Sequence, residues 1–366
     1  MNILILTGRF CMGHWSASRS LAQQIVEAYP GARVHIEDLM DYAMPELSDA
    51  VYKGYNLLVT CGPALFNAYY KLKENAPAHL HFAGHFVEKL TGLLEAERPD
   101  VVIATHPFCA QVVSRYKKVT GKKLPLITCV TDISAHSEWI CQGTDCYLVG
   151  SLQVRDKLVD KGVDRDRICV TGIPVRAEFL SARPRSQQTR GKDAPRQLLI
   201  MGGGLGLMPR KDSFYEALNA MPGVHTTIIT GRNQKLFERL SGKYENIEVV
   251  GFTDRVYEYM SRSHLLLTKP GGITTFEALF SQLPILAWEP FLEQERKNAR
   301  FLVDQGIGRV AQKESSRCLQ AIRALIYDDQ ALDQMTANMG RLKEMLCQER
   351  MCDIVATAAR MSEVCA

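Results

Sequence analysis

No apolar run in the 366-residue chain approaches the ~20 residues needed to cross a bilayer, and the start, Asn2 then Ile3 to Leu6, lacks the basic n-region of a signal peptide. Those first residues therefore read as a buried strand. The eleven cysteines include no CxxC pair and no nearby histidine at finger spacing, so they are expected as small buried hydrophobes in a reducing cytosol. Neither half has an excess of one charge sign. Residues 1–180 hold 19 Lys+Arg against 19 Asp+Glu, residues 197–366 hold 20 against 20, and the stretch 181–196, with five basic residues and one acidic, supplies the whole net +4. Without a basic field on either half, nucleic acid is not an expected partner. A strict GxGxxG is also missing. Residues 202–207, GGGLGL, lack the third glycine and no acid closes the next apolar stretch, HTTII at 225–229, which argues against a nicotinamide enzyme. The DxD formed by Asp164, Arg165 and Asp166 precedes the strand pattern ICVTG instead of following one, so it reads as a solvated turn and no metal site is expected.

Hydrophobic residues (46%) and charged residues (23%) instead describe a globular protein, and the length suits two domains. Apolar strand patterns alternate with helical ones: ILIL at 3–6, a helix from Ser16 to Tyr29, VHIED at 34–38, VVIAT at 101–105, LITCVT at 126–131, CYLVG at 146–150 and ICVTG at 168–172. The alternation restarts with LLIMGGG at 198–204, HTTIITG at 225–231, IEVVG at 247–251, HLLLTKP at 264–270 and PILAW at 284–288. Continuous apolar strands separated by helices predict parallel sheets covered on both faces. The polar stretch SARPRSQQTRGKDAPR between the series is the expected linker. The spans predicted are therefore domain 1–180, linker 181–196, domain 197–340 and a C-terminal helix in 341–366 that packs back on the first domain. That helix belongs to a helical pattern running from about Ala331 to Val364. The fold class is α/β: two doubly wound Rossmann-like domains facing across a cleft.

The most informative stretch is LLLTKPGGITTFEAL, Leu265 to Leu279. A strand pattern meets two glycines and then a helix start. Gly271 and Gly272 let backbone N–H groups approach a ligand with no Cβ in the way, and the helix N-terminus adds partial positive charge, an arrangement that favours a diphosphate. Glu277 lies one turn in, where a carboxylate can accept both hydroxyls of a ribose. Together they suggest a nucleotide, although the same residues also fit an ordinary glycine turn in an α/β protein. Gly8 to Gly13 and Gly202 to Gly206 follow the first strand of each half, where ligands of doubly wound sheets bind.

The ordered series GH near the N-terminus, VTDISAHSEW, VTGIPVR, GGG, TGRN, GFTD, TKPGGITTFEAL and QExxNA resembles the bacterial processive diacylglycerol glycosyltransferases and the plant monogalactosyldiacylglycerol synthases over about residues 1–340. It more distantly resembles the peptidoglycan N-acetylglucosaminyltransferase. The resemblance implies a GT-B fold and an inverting hexosyltransferase (EC 2.4.1 type) that uses a UDP-sugar and needs no bound metal or other cofactor. It also implies roles. Gly203 and Gly204, with Gly271, Gly272, Ile273 and Thr274, would cradle the diphosphate. Arg232 would lie close to the phosphates, Phe252 would contact uracil, Glu277 would bind ribose, and Gln294 and Glu295 would bind the sugar. The family's Pro-Gly before that pair is Leu292-Glu293 here, which leaves the choice between glucose and galactose open.

On the acceptor side, His14 follows Gly13 at a helix start, where the dipole disfavours imidazolium and keeps the ring able to accept a proton from an acceptor hydroxyl. A structural cap histidine is the alternative. The family's Gly-X-Gly-His reads Cys11-Met12-Gly13-His14 here. Asp132, ending a strand, is a second candidate, either polarising a histidine or acting as the base itself, while His136 and Trp139 are expected to shape the acceptor side. Residues 52–90 interleave aromatic and aliphatic residues with Lys53, Lys71, Lys73 and Lys89, and Arg115, Lys117, Lys118, Lys122 and Lys123 form a second basic run with no acid among them. Both suit a surface meeting anionic lipid. The expectation is an enzyme carrying hexose from UDP-glucose or UDP-galactose to a lipid hydroxyl, diacylglycerol in the first instance, in the cytoplasm at the inner face of the cell membrane. A soluble acceptor, a UDP-sugar epimerase and a non-catalytic UDP-sugar sensor are the rivals.

Overall fold

The computed structural model describes residues 1–10, 12–76, 83–181, 194–202, 208–209, 211–347 and 350–364, with only the backbone for Ala83 and residues 361–364. It divides into a first unit, Met1–Ala177 with Leu292–Gln294 and Leu346–Ala366, and a second, Glu178–Phe291 with Glu295–Met345.

The first unit holds β1 (Asn2–Thr7), β2 (Arg33–Asp38), β3 (Val101–Ala104), β4 (Leu126–Cys129), β5 (Cys146–Val149) and β6 (Ile168–Val170), in the order β2-β1-β3-β4-β5-β6. Every neighbouring pair is parallel. Successive residues of β1 feed opposite cores, as the two-residue period of a strand requires. Ile3 and Ile5 pack with Leu21, Ile25, Met351 and Val355, whereas Leu4 and Leu6 pack with Leu90, Leu93, Val112 and Tyr116. Burial on both faces is why residues 3–6 of the strand are all apolar and do not alternate with polar ones.

The second unit holds β7 (Arg196–Met201), β8 (Val224–Ile229), β9 (Ile247–Val250), β10 (Leu265–Thr268), β11 (Ile285–Trp288) and β12 (Gly308–Ala311), again all parallel, in the order β12-β11-β10-β7-β8-β9. Counted within the unit, this is the 3-2-1-4-5-6 order of a dinucleotide-type sheet. In both sheets the chain goes one way from the first strand and then returns to its other side, so switch points fall between β1 and β3 and between β7 and β10.

Four expectations need correction. The helical pattern from Ala331 to Val364 is two helices, Asp329–Glu344 in the second unit and Met351–Val364 in the first. The sequence reading missed β12, because GRVA is a short edge strand with Arg309 and Val310 exposed and so shows no apolar run. Arg196 does not belong to a solvated linker: it opens β7 and holds Asp329 through two bonds of 2.6 and 2.8 Å. The first long helix begins at Met12, which places Gly13 and His14 inside its first turn.

Candidate active site

At the first unit's switch point, β1 ends in Thr7 and the loop Gly8–Phe10 leads to the helix Met12–Ala28. Cys11 lies outside the described residues. Asp38, at the end of β2 and 5% exposed, anchors this loop. It accepts from Arg9 Nε (3.0 Å) and from the Tyr52 hydroxyl (2.6 Å), and that hydroxyl accepts from the Arg9 amide (3.1 Å). Phe10 stacks on His106, with ring centroids 4.8 Å apart.

His14 is buried where the ends of β1, β3 and β4 meet. Its Nδ1 lies 2.9 Å from the Thr105 carbonyl oxygen and 2.7 Å from Thr131 Oγ1. A carbonyl has no hydrogen to give, so Nδ1 carries the proton and, in the neutral ring, the lone pair sits on Nε2. That is the tautomer a general base needs. His106 meets the His14 ring edge-to-face at 4.6 Å. Its Nδ1 accepts from the Phe108 amide, and burial together with His14 pushes its imidazole well below the usual range, so it stays neutral.

The VTDISAHSEW segment mixes a partly exposed carboxylate with two enclosed rings. Asp132 is partly exposed and accepts from the Trp139 indole N–H at 3.0 Å. Trp139 is fully buried in a core with Tyr147, Val149 and Leu158, and its indole fixes the Asp132 carboxylate. His136, 2% exposed, accepts from the Glu138 amide at Nδ1 and donates from Nε2 to the Tyr70 carbonyl (3.0 Å), so both ring nitrogens are engaged within the fold. Sequence alone names these three residues but cannot tell a lining side chain from a supporting one.

In the second unit, the turn between β10 and the helix Gly272–Phe280 lies at the switch point. Gly271 is the N-cap residue, with φ −80° and ψ 147°, and no side chain caps the helix. The first-turn amides have no intrahelical acceptor, so Gly272, Ile273 and Thr274 present N–H groups at the positive end of the dipole. A Cβ on Gly271 would meet nothing within 4 Å, and its φ is one that any residue adopts. The fold itself therefore does not demand glycine there. The Asn298 amide donates to the Pro270 carbonyl at 2.9 Å and fixes the turn from the helix Glu293–Asp304. Lys269 lies 3.7 Å from the Glu295 carboxylate and over the Phe291 ring. Glu277 is partly exposed one turn into the helix.

Arg232 follows the end of β8 and Phe252 the end of β9. Phe252 is 65% exposed and is not a core residue. The Arg232 guanidinium lies 5.7 Å from its ring centroid, so neighbouring strand ends bring together two residues twenty apart in sequence. Gly203 and Gly204 lie outside the described residues. Gln294 is partly exposed, and the Glu293 that departs from the family pattern turns its carboxylate to Lys71 (3.4 Å) while its amide bonds to Asn67 (2.8 Å), all within the first unit.

Sequence reading missed Thr105, Thr131, Asp38, Lys269 and Asn298. Thr131, Lys269 and Asn298 stand inside quoted motifs, but none of these residue types signals its role until distant parts of the chain are brought together. Asp164 caps a short exposed turn by accepting from the Asp166 amide, and among the described residues no group of three or more His, Cys, Asp or Glu could hold a metal ion.

Residues 14–175 match the family model "Monogalactosyldiacylglycerol (MGDG) synthase", and residues 209–351 match "Glycosyltransferase family 28 C-terminal domain". A processive diacylglycerol beta-glucosyltransferase of Bacillus thuringiensis (strain Al Hakam) is 30% identical over 92% of this chain and 88% of its own length. The enzyme of that name from Bacillus subtilis (strain 168) is 28% identical over 93% and 91%. Among solved structures, the glycotransferase of kitacinnamycin superposes with a TM-score of 0.66 at 17% identity, over 98% of this chain and 99% of that one, which speaks to the fold alone. With two parallel six-stranded sheets and similarity along nearly its whole length, the chain is a GT-B glycosyltransferase belonging to the family of the monogalactosyldiacylglycerol synthases and processive diacylglycerol beta-glucosyltransferases.

Proposed function

We propose that this protein transfers glucose from UDP-glucose to diacylglycerol, with inversion at the anomeric carbon. The observation that carries this reading is the end-to-end similarity to processive diacylglycerol beta-glucosyltransferases at 30% identity. A β product from an α-linked nucleotide sugar requires inversion, and a single displacement needs one base and no covalent enzyme intermediate. His14 supplies the base, its Nε2 lone pair taking the proton from the acceptor hydroxyl. The amides of Gly272, Ile273 and Thr274, with Arg232, hold the diphosphate and stabilise the leaving UDP, together with Gly203 and Gly204 of the preceding glycine loop. Phe252 meets uracil, Glu277 the ribose hydroxyls, and Gln294 and Glu295 the glucose. Gly13 and Asp132 lie on the acceptor side.

The acceptor is reached at a membrane surface. No helix among the described residues is long and apolar enough to span a bilayer, and the surface that supports a lipid contact is an exposed stripe. The helix Pro63–Lys73 buries Phe66 and Tyr70 and leaves Leu65, Tyr69 and Leu72 exposed by 67%, 53% and 76% on a stripe of i, i+4, i+7 spacing, with exposed Leu57 and Lys53 on the preceding helix. Such a stripe suits the headgroup boundary of an anionic bilayer on the cytoplasmic side. The second basic run contributes less than its sequence suggests, because Lys117 is bound to Asp145 (2.6 Å) and the Gly143 carbonyl (2.8 Å).

The test incubates the protein with UDP-glucose or UDP-galactose and diacylglycerol vesicles, following UDP release and the glycolipid. Glucosyl-diacylglycerol with stoichiometric UDP is expected. Epimerised sugar without acceptor, turnover confined to a soluble acceptor, or binding without UDP release would each replace this reading.

A further inference from the structure

His14 is buried, with a backbone carbonyl and a hydroxyl in reach of its Nδ1. The two groups at that nitrogen are neutral: the Thr105 carbonyl at 2.9 Å and the Thr131 hydroxyl oxygen at 2.7 Å. All three residues are enclosed, with Thr105 0%, Thr131 5% and His14 8% exposed. The environment is itself tied down, since Ser18 Oγ bonds to Thr105 Oγ1 (2.8 Å) and to the His14 carbonyl (2.9 Å). Thr131 lies two residues beyond β4 and Thr105 one beyond β3, so strand pairing sets their separation.

We propose that Thr131 is the positioning residue of the His14 base, its hydroxyl oxygen sharing the Nδ1 proton with the Thr105 carbonyl and stabilising the imidazolium that forms during transfer. The inference rests on the proposed role of His14. In the step, the acceptor hydroxyl gives its proton to Nε2 as its oxygen bonds to the anomeric carbon. The bond from that carbon to the diphosphate oxygen breaks, and UDP leaves with the electron pair. The ring then carries a proton on each nitrogen and later releases one to solvent. A charged ring makes Nδ1–H a stronger donor, so both acceptors bind it more tightly than in the resting state. Among the described residues, His106 meets the ring at 4.6 Å and is neutral, and Trp139, whose ring lies 6.1 Å from that of His14, holds the Asp132 carboxylate through its indole N–H.

The experiment compares Thr131→Val, which keeps the shape and loses the oxygen, with Thr131→Ser, which keeps the oxygen, in initial-rate profiles over pH with UDP-glucose and diacylglycerol vesicles. Losing a hydrogen bond to a developing charge should lower kcat by about 10- to 100-fold for Val, with KM for UDP-glucose within about twofold. Because the imidazolium is less stabilised, the acid limb of kcat should move to lower pH, and Ser should restore both kcat and the limb. A kcat loss with an unmoved limb, or Ser behaving like Val, overturns the proposal. His14→Ala separates the two readings: full turnover in that variant removes the base itself, whereas its loss alongside a normal Thr131→Val profile removes only this inference. Nitrogen-15 histidine NMR of the unmodified protein, with the His14 signal assigned by substitution, should show the Nδ1–H tautomer. The Nε2–H tautomer would overturn the proposal whether or not the Val variant folds.

Discussion

Replacing Gly271 by alanine separates the needs of the fold from those of the ligand. The backbone at φ −80° and ψ 147° is open to alanine, and the added Cβ would have no protein atom within 4 Å. Stability is therefore the balance of two small effects. Fewer unfolded conformations stabilise by about 0.4–1 kcal/mol, while alanine is a poorer N-cap than glycine by about 0.5–1 kcal/mol. The net change should stay within ~0.5 kcal/mol, a shift of only a degree or two in Tm for a domain of this size. A methyl group at the mouth of the amide turn, however, pushes a diphosphate away from the N–H groups of residues 272–274. Losing one hydrogen bond to a charged acceptor costs about 1.5–3 kcal/mol, or roughly 10- to 150-fold in affinity. Calorimetry with UDP and thermal unfolding of the same preparation read the two quantities. Gly308→Ala is the control of opposite sign, since its Cβ would stand 2.6 Å from the Ile285 carbonyl oxygen between paired strands and should lower Tm clearly. Unchanged UDP affinity in Gly271→Ala would refute the claim that this turn holds the diphosphate.

Two further predictions follow from the exposed residues. Arg232→Ala should weaken UDP binding by about 10- to 100-fold with a stability change under ~1 kcal/mol, because an exposed cation–π contact contributes little to the fold whereas a phosphate contact contributes more. Lysine at 232 should recover part of the affinity, and equal Kd values for all three proteins would make Arg232 an ordinary surface residue. Leu65→Asp combined with Leu72→Asp removes two side chains that face solvent, so Tm should hold. At about 1–2 kcal/mol each for partial insertion, sedimentation with anionic vesicles should fall by roughly 30-fold or more. Undiminished vesicle binding would place the membrane contact elsewhere.

Period and composition were enough to expect two parallel sheets, because a strand buried on both faces carries a continuous apolar run, as β1 does at residues 3–6 and β10 at 265–267. The same rule explains the omission of β12, an edge strand with two solvated positions. The glycine turn at the end of β10 was legible for a local reason: two adjacent glycines between an apolar strand and a helix start mark a sharp turn. The division of labour within VTDISAHSEW was not legible. Asp132, His136 and Trp139 stand within eight residues of one another, yet one is partly exposed and two are enclosed.

The sequence by itself determined the alternation of elements and the glycine turn after β10, since each depends on residues close together in the chain. Tertiary structure alone decided which groups meet. Thr105 and Thr131 reach the His14 ring from different strands, Arg232 covers Phe252, and the helix Met351–Val364 closes a core begun at Ile3. Those meetings are set by strand order, which follows from how two whole sheets bury their faces and which no local run of residues encodes.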